Sequence, residues 1–282
     1  MKKRALVASL AVVGLTLTSS YQGADAAIDN KKTGIQIFDK VKCDNEMNVK
    51  GSTKGTGNYV DSTKVFYRLT RDGDFIDNFS NSKNSDYVTI TMTHSGNDDS
   101  KDNDGPLWKV QSTHRVDYSN SSPDFSEDSD KAYGKCGGSS KSSPKSQAAI
   151  SKIEDVEAKL ERKWKEVMEA HNIDESKWSR YTFEDFKGVQ TNIDNADKFT
   201  PVQKAVSLAH AEMENVKLEK GDSEGLYLLD KAEEKGLYIY QKANGENVVV
   251  EFTLKGNNDI KGLSASNDSN TIWKLVDTKV KQ

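Results

Sequence analysis

Apolar residues recur at two different periods along the chain, and the change of period separates strand-like regions from helical ones. Short alternating or β-branched runs predict strands at residues 34–43, 64–69, 87–93, 107–116, 225–230, 236–241, 247–256 and 271–280. Two longer segments, 150–171 and 200–221, instead carry apolar residues every three or four positions. That spacing predicts amphipathic helices, each with one apolar stripe.

The helical region also carries start signals. Thr200 is a predicted N-cap, Pro201 suits the first helical position, and Gln203 completes a capping box. Between the two helices, Thr182 is predicted to cap a short helical turn in the sequence TFEDF. Because the two long helices have apolar stripes, we expect them to face each other as an αα-hairpin.

A turn signal lies between two of the C-terminal strands. The dipeptide Asn244-Gly245 is flanked by alternating apolar runs. This arrangement predicts a β-hairpin closed by a type I′ turn, in which both central residues have positive φ.

The chain resembles itself at an offset of 160 residues. In the stretches 87–101 and 247–261, Val88, Thr93, Gly96, Asn97, Asp99 and Lys101 recur as Val248, Thr253, Gly256, Asn257, Asp259 and Lys261. Short strands can also match by coincidence, and that alternative stays open. Duplication predicts an α+β fold in which two small antiparallel β units flank the helical hairpin.

This interpretation divides the chain into five regions. They are a signal peptide 1–26, an N-terminal β module 27–136, a linker 137–147, a helical hairpin 148–221, and a β module 222–282 that resembles the first. Cys43 and Cys136 bracket the first module, and two cysteines in an oxidising compartment predict a structural disulfide.

The N-terminus has the features of an export signal. A basic start is followed by fourteen mainly apolar residues and by Ala24-Asp25-Ala26, a cleavage pattern. The apolar run is too short for a transmembrane span of about 20 residues. Removing this segment deletes three cations and one acid, so the formal charge moves from −4 to −6. We therefore expect a secreted or extracytoplasmic protein. Because its net charge is negative, its overall electrostatic field does not favour binding of nucleic acid.

Several histidines and acids are candidate metal ligands. Asp102 and Asp104 precede a glycine with the spacing of a calcium loop, but the loop lacks a terminal bidentate glutamate. His94 and His114, with Asp99, could ligate zinc if their strands pair. The alternative is a solvated turn, which the second copy favours because its equivalent loop is less acidic.

Aromatic residues of the C-terminal half are candidate binding residues. They are Trp178, Tyr181, Tyr227, Tyr238 and Tyr240. Residues of this kind are enriched in binding hot spots. The alternative is that they pack the sheet onto the helices.

The sequence favours a secreted or surface-associated binding protein that contacts a protein or a small ligand without catalysis. Neither a G-x-S-x-G, an H-E-x-x-H nor a phosphate-binding glycine motif occurs in the chain. We assign no catalytic residue and no cofactor apart from the calcium candidate. One alternative is an extracytoplasmic hydrolase, with or without a metal bound at His94 and His114. The other is a small-ligand carrier with a pocket between helices and sheet.

Overall fold

The computed structural model describes residues 28–40, 44–56, 59–96, 106–133, 147–192, 198–232, 235–254, 260–267 and 272–276. The strands are β1 Ile28–Lys40, β2 Asp44–Gly55, β3 Val60–Arg71, β4 Asp74–Lys83, β5 Tyr87–Gly96, β6 Leu107–Tyr118, β7 Asp124–Tyr133, β8 Trp178–Tyr181, β9 Gln190–Asn192, β10 Leu226–Asp230, β11 Lys235–Gln241, β12 Asn247–Leu254, β13 Ile260–Asn267 and β14 Ile272–Val276. The helices are α1 Gln147–Ala170 and α2 Pro201–Asn215, with 3-10 turns at Glu175–Lys177 and Phe183–Phe186.

Strand dominates the fold, and the predicted α+β arrangement of two β units around a helical hairpin is wrong. Strand makes up 50% of the structure and helix 27%, with three sheets and two α-helices in the described residues. The sheets have the strand orders β1-β2-β5, β4-β3-β6-β7-β9 and β14-β13-β12-β11-β10-β8. Three of these strands, β2, β4 and β7, lie in polar segments for which the sequence predicts no strand.

The two α-helices lie on opposite faces of the six-stranded sheet, so they do not form a hairpin. Leu160 and Trp164 of α1 pack with Leu228 in one core cluster. Leu208 of α2 packs with Tyr227 in another. Successive residues of β10 are apolar and point to opposite faces of the sheet, so both faces must be packed against another element.

The other two sheets face each other. β1 lies against β6 and β7, β2 against β3 and β6, and β5 against β3 and β4. Their shared core contains Val49 and Val88 from the three-stranded sheet and Tyr67, Trp108 and Val110 from the five-stranded one. This pair of sheets forms most of the N-terminal half of the molecule.

The two strands related by the offset of 160 have different neighbours, so the predicted pair of like β units is also wrong. β5 pairs with β2 at the edge of the three-stranded sheet, whereas β12 lies between β11 and β13 inside the six-stranded sheet. A shared alternation of side chains fixes which face of a strand is buried, but it does not select the pairing partner.

Local signals at α2 and at the short turn are confirmed. The Thr200 hydroxyl accepts a hydrogen bond from Gln203 N, and the Gln203 side chain accepts one from Thr200 N. A capping box at Thr182 likewise begins the 3-10 turn Phe183–Phe186.

The hairpin at Asn244-Gly245 is confirmed, but its turn type is not. β11 pairs with β12, and Gly245 has a φ of +87°. Among the described residues, positive φ at non-glycine positions occurs at Asp72 and Asn172. A type I′ turn would also require it at Asn244.

Several predictions concern residues outside the described part of the chain. They are the signal peptide 1–26, the Cys43–Cys136 disulfide, linker residues 137–146 and the acidic loop that contains Asp99, Asp102 and Asp104. These predictions, and the boundaries of the five regions, stay predictions.

The central five-stranded sheet is buried on two chemically different faces. On β6, Trp108, Val110 and His114 point into the core shared with the three-stranded sheet. The alternate residues of β6 contact α2 and the segment before β10. These alternate residues are polar: Lys109, Gln111, Thr113 and Arg115. We call this second surface the polar face.

Candidate functional site

Two exposed tyrosines lie at the same end of the facing sheets. Tyr59 immediately precedes β3 and is 57% exposed, and Tyr87 begins β5 and is 44% exposed. Ile150, at 38%, is the third large hydrophobic residue found exposed in the described structure. We call the surface formed by Tyr59, Tyr87 and the loops 84–86 and 119–123 the tyrosine end.

Gly55 contacts the segments that carry both tyrosines. The Gly55 N–H donates a 2.9 Å hydrogen bond to the carbonyl oxygen of Asp86, the residue before Tyr87. An added Cβ on Gly55 would be 2.6 Å from Val116 Cγ1 and 3.0 Å from Cγ2 of Val60, the residue after Tyr59. The absence of a side chain at Gly55 therefore permits this close approach.

Hydrogen bonds from neighbouring loops hold the backbone of both tyrosines. Ser119 donates to the Tyr59 carbonyl oxygen from its backbone N at 2.9 Å and from its hydroxyl at 3.4 Å. The Ser85 hydroxyl donates to the Tyr87 carbonyl oxygen at 2.9 Å. Because the backbone is fixed, less conformational entropy is lost when the rings bind a ligand.

The loops around the tyrosines present small polar side chains. Asn84, Asp86 and the run Ser119-Asn120-Ser121 are exposed. Asp86 is the single charged side chain among the described residues of the loops that join β2 to β3, β4 to β5 and β6 to β7. Tyrosine, serine and asparagine together form the composition typical of adaptable binding loops.

The opposite end of the sheets is covered by α1. The β3–β4 turn contains Gly73, whose Cα lies directly beneath Leu160. Lys159 and Lys163 of α1 both form ion pairs with Asp74, at 2.6 and 3.0 Å. Loops at one end of facing sheets commonly carry function, and here the tyrosine end is the end that α1 leaves uncovered.

The polar face is a second concentration of functional groups, and it is buried. Arg68 of β3 donates two 2.8 Å hydrogen bonds to the carboxylate of Glu212 on α2. The Tyr227 hydroxyl donates to Glu212 Oε2 at 2.9 Å, and Arg68 Nη1 lies 3.5 Å from the Tyr238 hydroxyl oxygen. The side chains of Arg68 and Glu212 are 3% and 0% exposed.

These contacts shift the ionisation of the buried groups. Burial alone would lower the pKa of Arg68, but the Glu212 carboxylate raises it well above its usual value. Burial raises the pKa of Tyr227 and Tyr238, and the negative charge of Glu212 raises both further. The cluster therefore contains a charged arginine and two neutral phenols at neutral pH.

Two further acids hold other parts of the polar face. Glu127 of β7, fully buried, contacts His210 of α2 and accepts a 2.9 Å hydrogen bond from the Thr113 hydroxyl. Glu224 accepts hydrogen bonds from Lys109 at 2.5 Å and from Gln111 at 2.9 Å. These bonds join α2 and the segment before β10 to the central sheet.

His114, a candidate metal ligand, lies in the core between the facing sheets. Its Nδ1 is 2.7 Å from the Thr53 hydroxyl, and its Nε2 is 3.0 Å from the Ser112 hydroxyl. The imidazole is fully buried and meets the Tyr67 ring edge to face. Both ring nitrogens are therefore engaged by hydroxyl groups.

The backbone of His94 is distant from His114. His94 pairs with Met47, whereas Thr53, the contact of His114, pairs with Val88. Six residues of strand separate these positions, which is about 20 Å. Among the described residues no group of three or more histidine, cysteine or acidic side chains could hold a metal ion. Asp99, Asp102 and Asp104 lie outside them, so the metal hypothesis stays a prediction.

The structure buries most of the aromatic residues that the sequence proposes for binding. Tyr227, Tyr238 and Tyr240 are at most 4% exposed and belong to the core beneath α2. Trp178 and Tyr181 are partly buried at the edge of the same sheet. In this structure the three tyrosines offer no exposed recognition surface.

The sequence signal for the tyrosine end is its loop composition. Tyr59 follows Gly57-Asn58, and Tyr87 follows Asn84-Ser85-Asp86. A bulky aromatic directly beside turn-forming residues is less often core than one inside an alternating run. The polar face carries no such signal. Polar residues at alternate positions of β6 are typical of a strand face that is exposed to solvent.

Comparison with protein-family models gives no match, and comparison with curated proteins gives none either. In the described residues no helix is long and apolar enough to cross a membrane.

Proposed function

We propose that this chain is a secreted or surface-associated recognition protein that binds its ligand at the tyrosine end and performs no catalysis there. The observation that carries the proposal is that Tyr59 and Tyr87 are both exposed at the same end of the facing sheets, on segments held by hydrogen bonds to their backbone. The export signal predicted from residues 1–26 supports a location outside the cytoplasm.

The chemistry of the tyrosine end favours binding over reaction. Tyrosine offers a large rigid ring and one hydroxyl at low entropic cost, which suits recognition. The buried acids of the polar face are already hydrogen-bonded to arginine, lysine, histidine or threonine. These contacts support a structural role for that face, which holds α2 on the central sheet.

The test is a binding assay with labelled protein that begins at Ala27, after the predicted cleavage motif. Surface material from cells of the source organism is immobilised, and the wild type is compared with Tyr59→Ala/Tyr87→Ala. Ile150→Ala, on α1, is the matched control because it also removes an exposed large apolar side chain. Circular dichroism checks that all three proteins fold alike.

We expect saturable binding of the wild type and of Ile150→Ala, and at least about tenfold weaker binding of the double tyrosine variant. Tenfold corresponds to about 1.4 kcal/mol, a modest loss for two hot-spot aromatics. Equal binding by the wild type and the double variant, or the absence of saturable binding, would refute the proposal.

A further inference from the structure

We infer that the tyrosine end binds an uncharged carbohydrate chain. This inference rests on the proposed function and specifies its ligand class. The ligand must fit two exposed phenol rings that lie beside serine and asparagine side chains.

The first argument is the match between sugar and tyrosine surfaces. A pyranose ring presents a flat face of C–H groups and an edge of hydroxyl groups. The C–H face packs against an aromatic face, whose negative quadrupole attracts the weakly positive hydrogens. Tyr59 and Tyr87 belong to the two segments that Gly55 contacts, so one extended chain lying along this end of the sheets can meet both rings.

The second argument is hydrogen-bonding capacity. Each sugar hydroxyl both donates and accepts, and the exposed amides of Asn84 and Asn120 provide both functions. The Asp86 carboxylate can accept from two adjacent hydroxyls. A ligand rich in hydroxyls satisfies these groups better than an apolar surface, which would leave them desolvated and unpaired.

The third argument is charge. The charged side chains next to the two tyrosines balance: Asp61 and Asp86 are matched by Lys54, the strand partner of Tyr87, and by Lys83. An anionic polymer would therefore meet no excess of positive charge at this surface. An uncharged chain needs no such excess.

A protein partner fits the surface less well. Standard protein interfaces bury about 800 Å² on each side around a desolvated apolar centre. At the tyrosine end the exposed large apolar groups are two separate rings, each flanked by polar residues. A narrow chain that stacks on the rings and hydrogen-bonds between them uses this arrangement more fully.

The experiment uses the surface material of the binding assay after two treatments. Periodate cleaves the carbon–carbon bond between adjacent hydroxyls of sugars, and a general protease removes proteins; each reagent is quenched before the labelled chain is added. In parallel, retention is measured on mannan, chitin and cellulose, at low and at high sodium chloride. Tyr59→Ala/Tyr87→Ala and Ile150→Ala are included throughout.

We expect periodate to reduce tyrosine-dependent binding at least about tenfold, and at least one of the neutral polysaccharides to retain the wild type. High salt should leave that retention unchanged, because screening acts on charged contacts. Loss after both treatments would indicate a glycoprotein whose glycan is required, and it also supports the inference.

Three results would overturn the carbohydrate assignment while leaving recognition at the tyrosine end intact. They are tyrosine-dependent binding that resists periodate without retention on chitin, whose 1,4-linked units have no adjacent hydroxyls, retention on none of the three polysaccharides, and binding that high salt abolishes. Loss of tyrosine dependence itself would instead remove the proposed function, so the two failures are distinguishable.

Discussion

The guanidinium of Arg68 and the carboxylate of Glu212 form a two-point ion pair, with both N···O distances at 2.8 Å, between the central sheet and α2. Neither side chain has appreciable contact with solvent. Burying one of these charges alone would be costly, so each residue requires the other.

Removing one partner of this pair should destabilise the protein strongly. Arg68→Met leaves the Glu212 carboxylate buried without its cation, and we expect a loss of about 3–5 kcal/mol in the free energy of unfolding. Guanidinium chloride unfolding at neutral pH measures this loss. Arg180→Met is the matched control, since Arg180 forms ion pairs with the exposed Glu161 and Glu175; it should cost less than about 1 kcal/mol.

The double variant Arg68→Met/Glu212→Leu should lose less stability than the sum of its single variants. Both charges are then absent, and two apolar side chains fill the space. The three variants and the wild type form a double-mutant cycle. If the losses in unfolding free energy of the single variants add up to that of the double variant, the pair is not energetically coupled and this interpretation is contradicted.

Gly225 should not tolerate a side chain. A Cβ at this position would collide with the ring of Tyr238, which is 1% exposed and cannot move into solvent. We expect Gly225→Ala to cost about 1–3 kcal/mol or more and to change the near-ultraviolet circular dichroism of the tyrosines. Gly245→Ala is the comparison: it has nothing within 4 Å but a φ of +87°, so it should destabilise without altering that spectrum. An unchanged tyrosine spectrum in Gly225→Ala would contradict this packing.

Four tyrosines should resist ionisation until the protein unfolds. Burial raises the pKa of Tyr118, Tyr227, Tyr238 and Tyr240, and nearby carboxylates raise it further. Since the unfolded value is about 10, their contribution to stability is complete below that pH and is lost as the pH rises towards the folded values. An ultraviolet titration of tyrosinate should therefore show a late step that coincides with unfolding. Ionisation of all ten tyrosines in the folded state would disprove it.

Asp117 should contribute stability that disappears in acid. Partial burial alone would raise the pKa of Asp117, but hydrogen bonds from Ser62 and Arg115 lower it below the usual value. The contribution is present above the unfolded pKa of about 3.9 and is lost as the pH falls through the lower folded value. Asp117→Asn should thus shift the urea midpoint downward at neutral pH, and the difference should shrink below pH about 4. A difference that is independent of pH would show that charge is not its source.

Much of the local structure could be predicted, because it depends on neighbouring residues. The capping box at Thr200 and Gln203 and the 3-10 turn after Thr182 follow from side chains that satisfy the first backbone N–H groups. The runs at β3, β5, β10, β11 and β12 are also confirmed as strands. In each case the sequence within a few residues contains the cause.

The missed strands have their cause in their pairing partners, outside their own residues. β2, β4 and β7 are rich in serine, asparagine and aspartate, which have low strand propensity. They are strands because β2 pairs with β1 and β5, β4 with β3, and β7 with β6 and β9. Likewise, the sequence does not show that one face of β6 is polar and buried, since the covering residues Met213 and Glu224 come about a hundred residues later.

The tyrosine end was missed for a related reason. Tyr227 and Tyr238 lie inside alternating runs, where strands are most deeply buried, and both belong to the core. Tyr59 and Tyr87 stand at strand ends, where the ring stays in solvent. Whether a strand-end aromatic is exposed depends on which strands meet there, and the sequence does not show this.

The sequence separation within the Arg68–Glu212 pair has a consequence for synthesis. The two residues are 144 positions apart, and a ribosome makes the chain from its N-terminus at about 5–20 residues per second. For several seconds at least, Arg68 has been made and Glu212 has not. The face of the central sheet that carries Arg68 therefore cannot be buried with its charge neutralised until α2 has been synthesised.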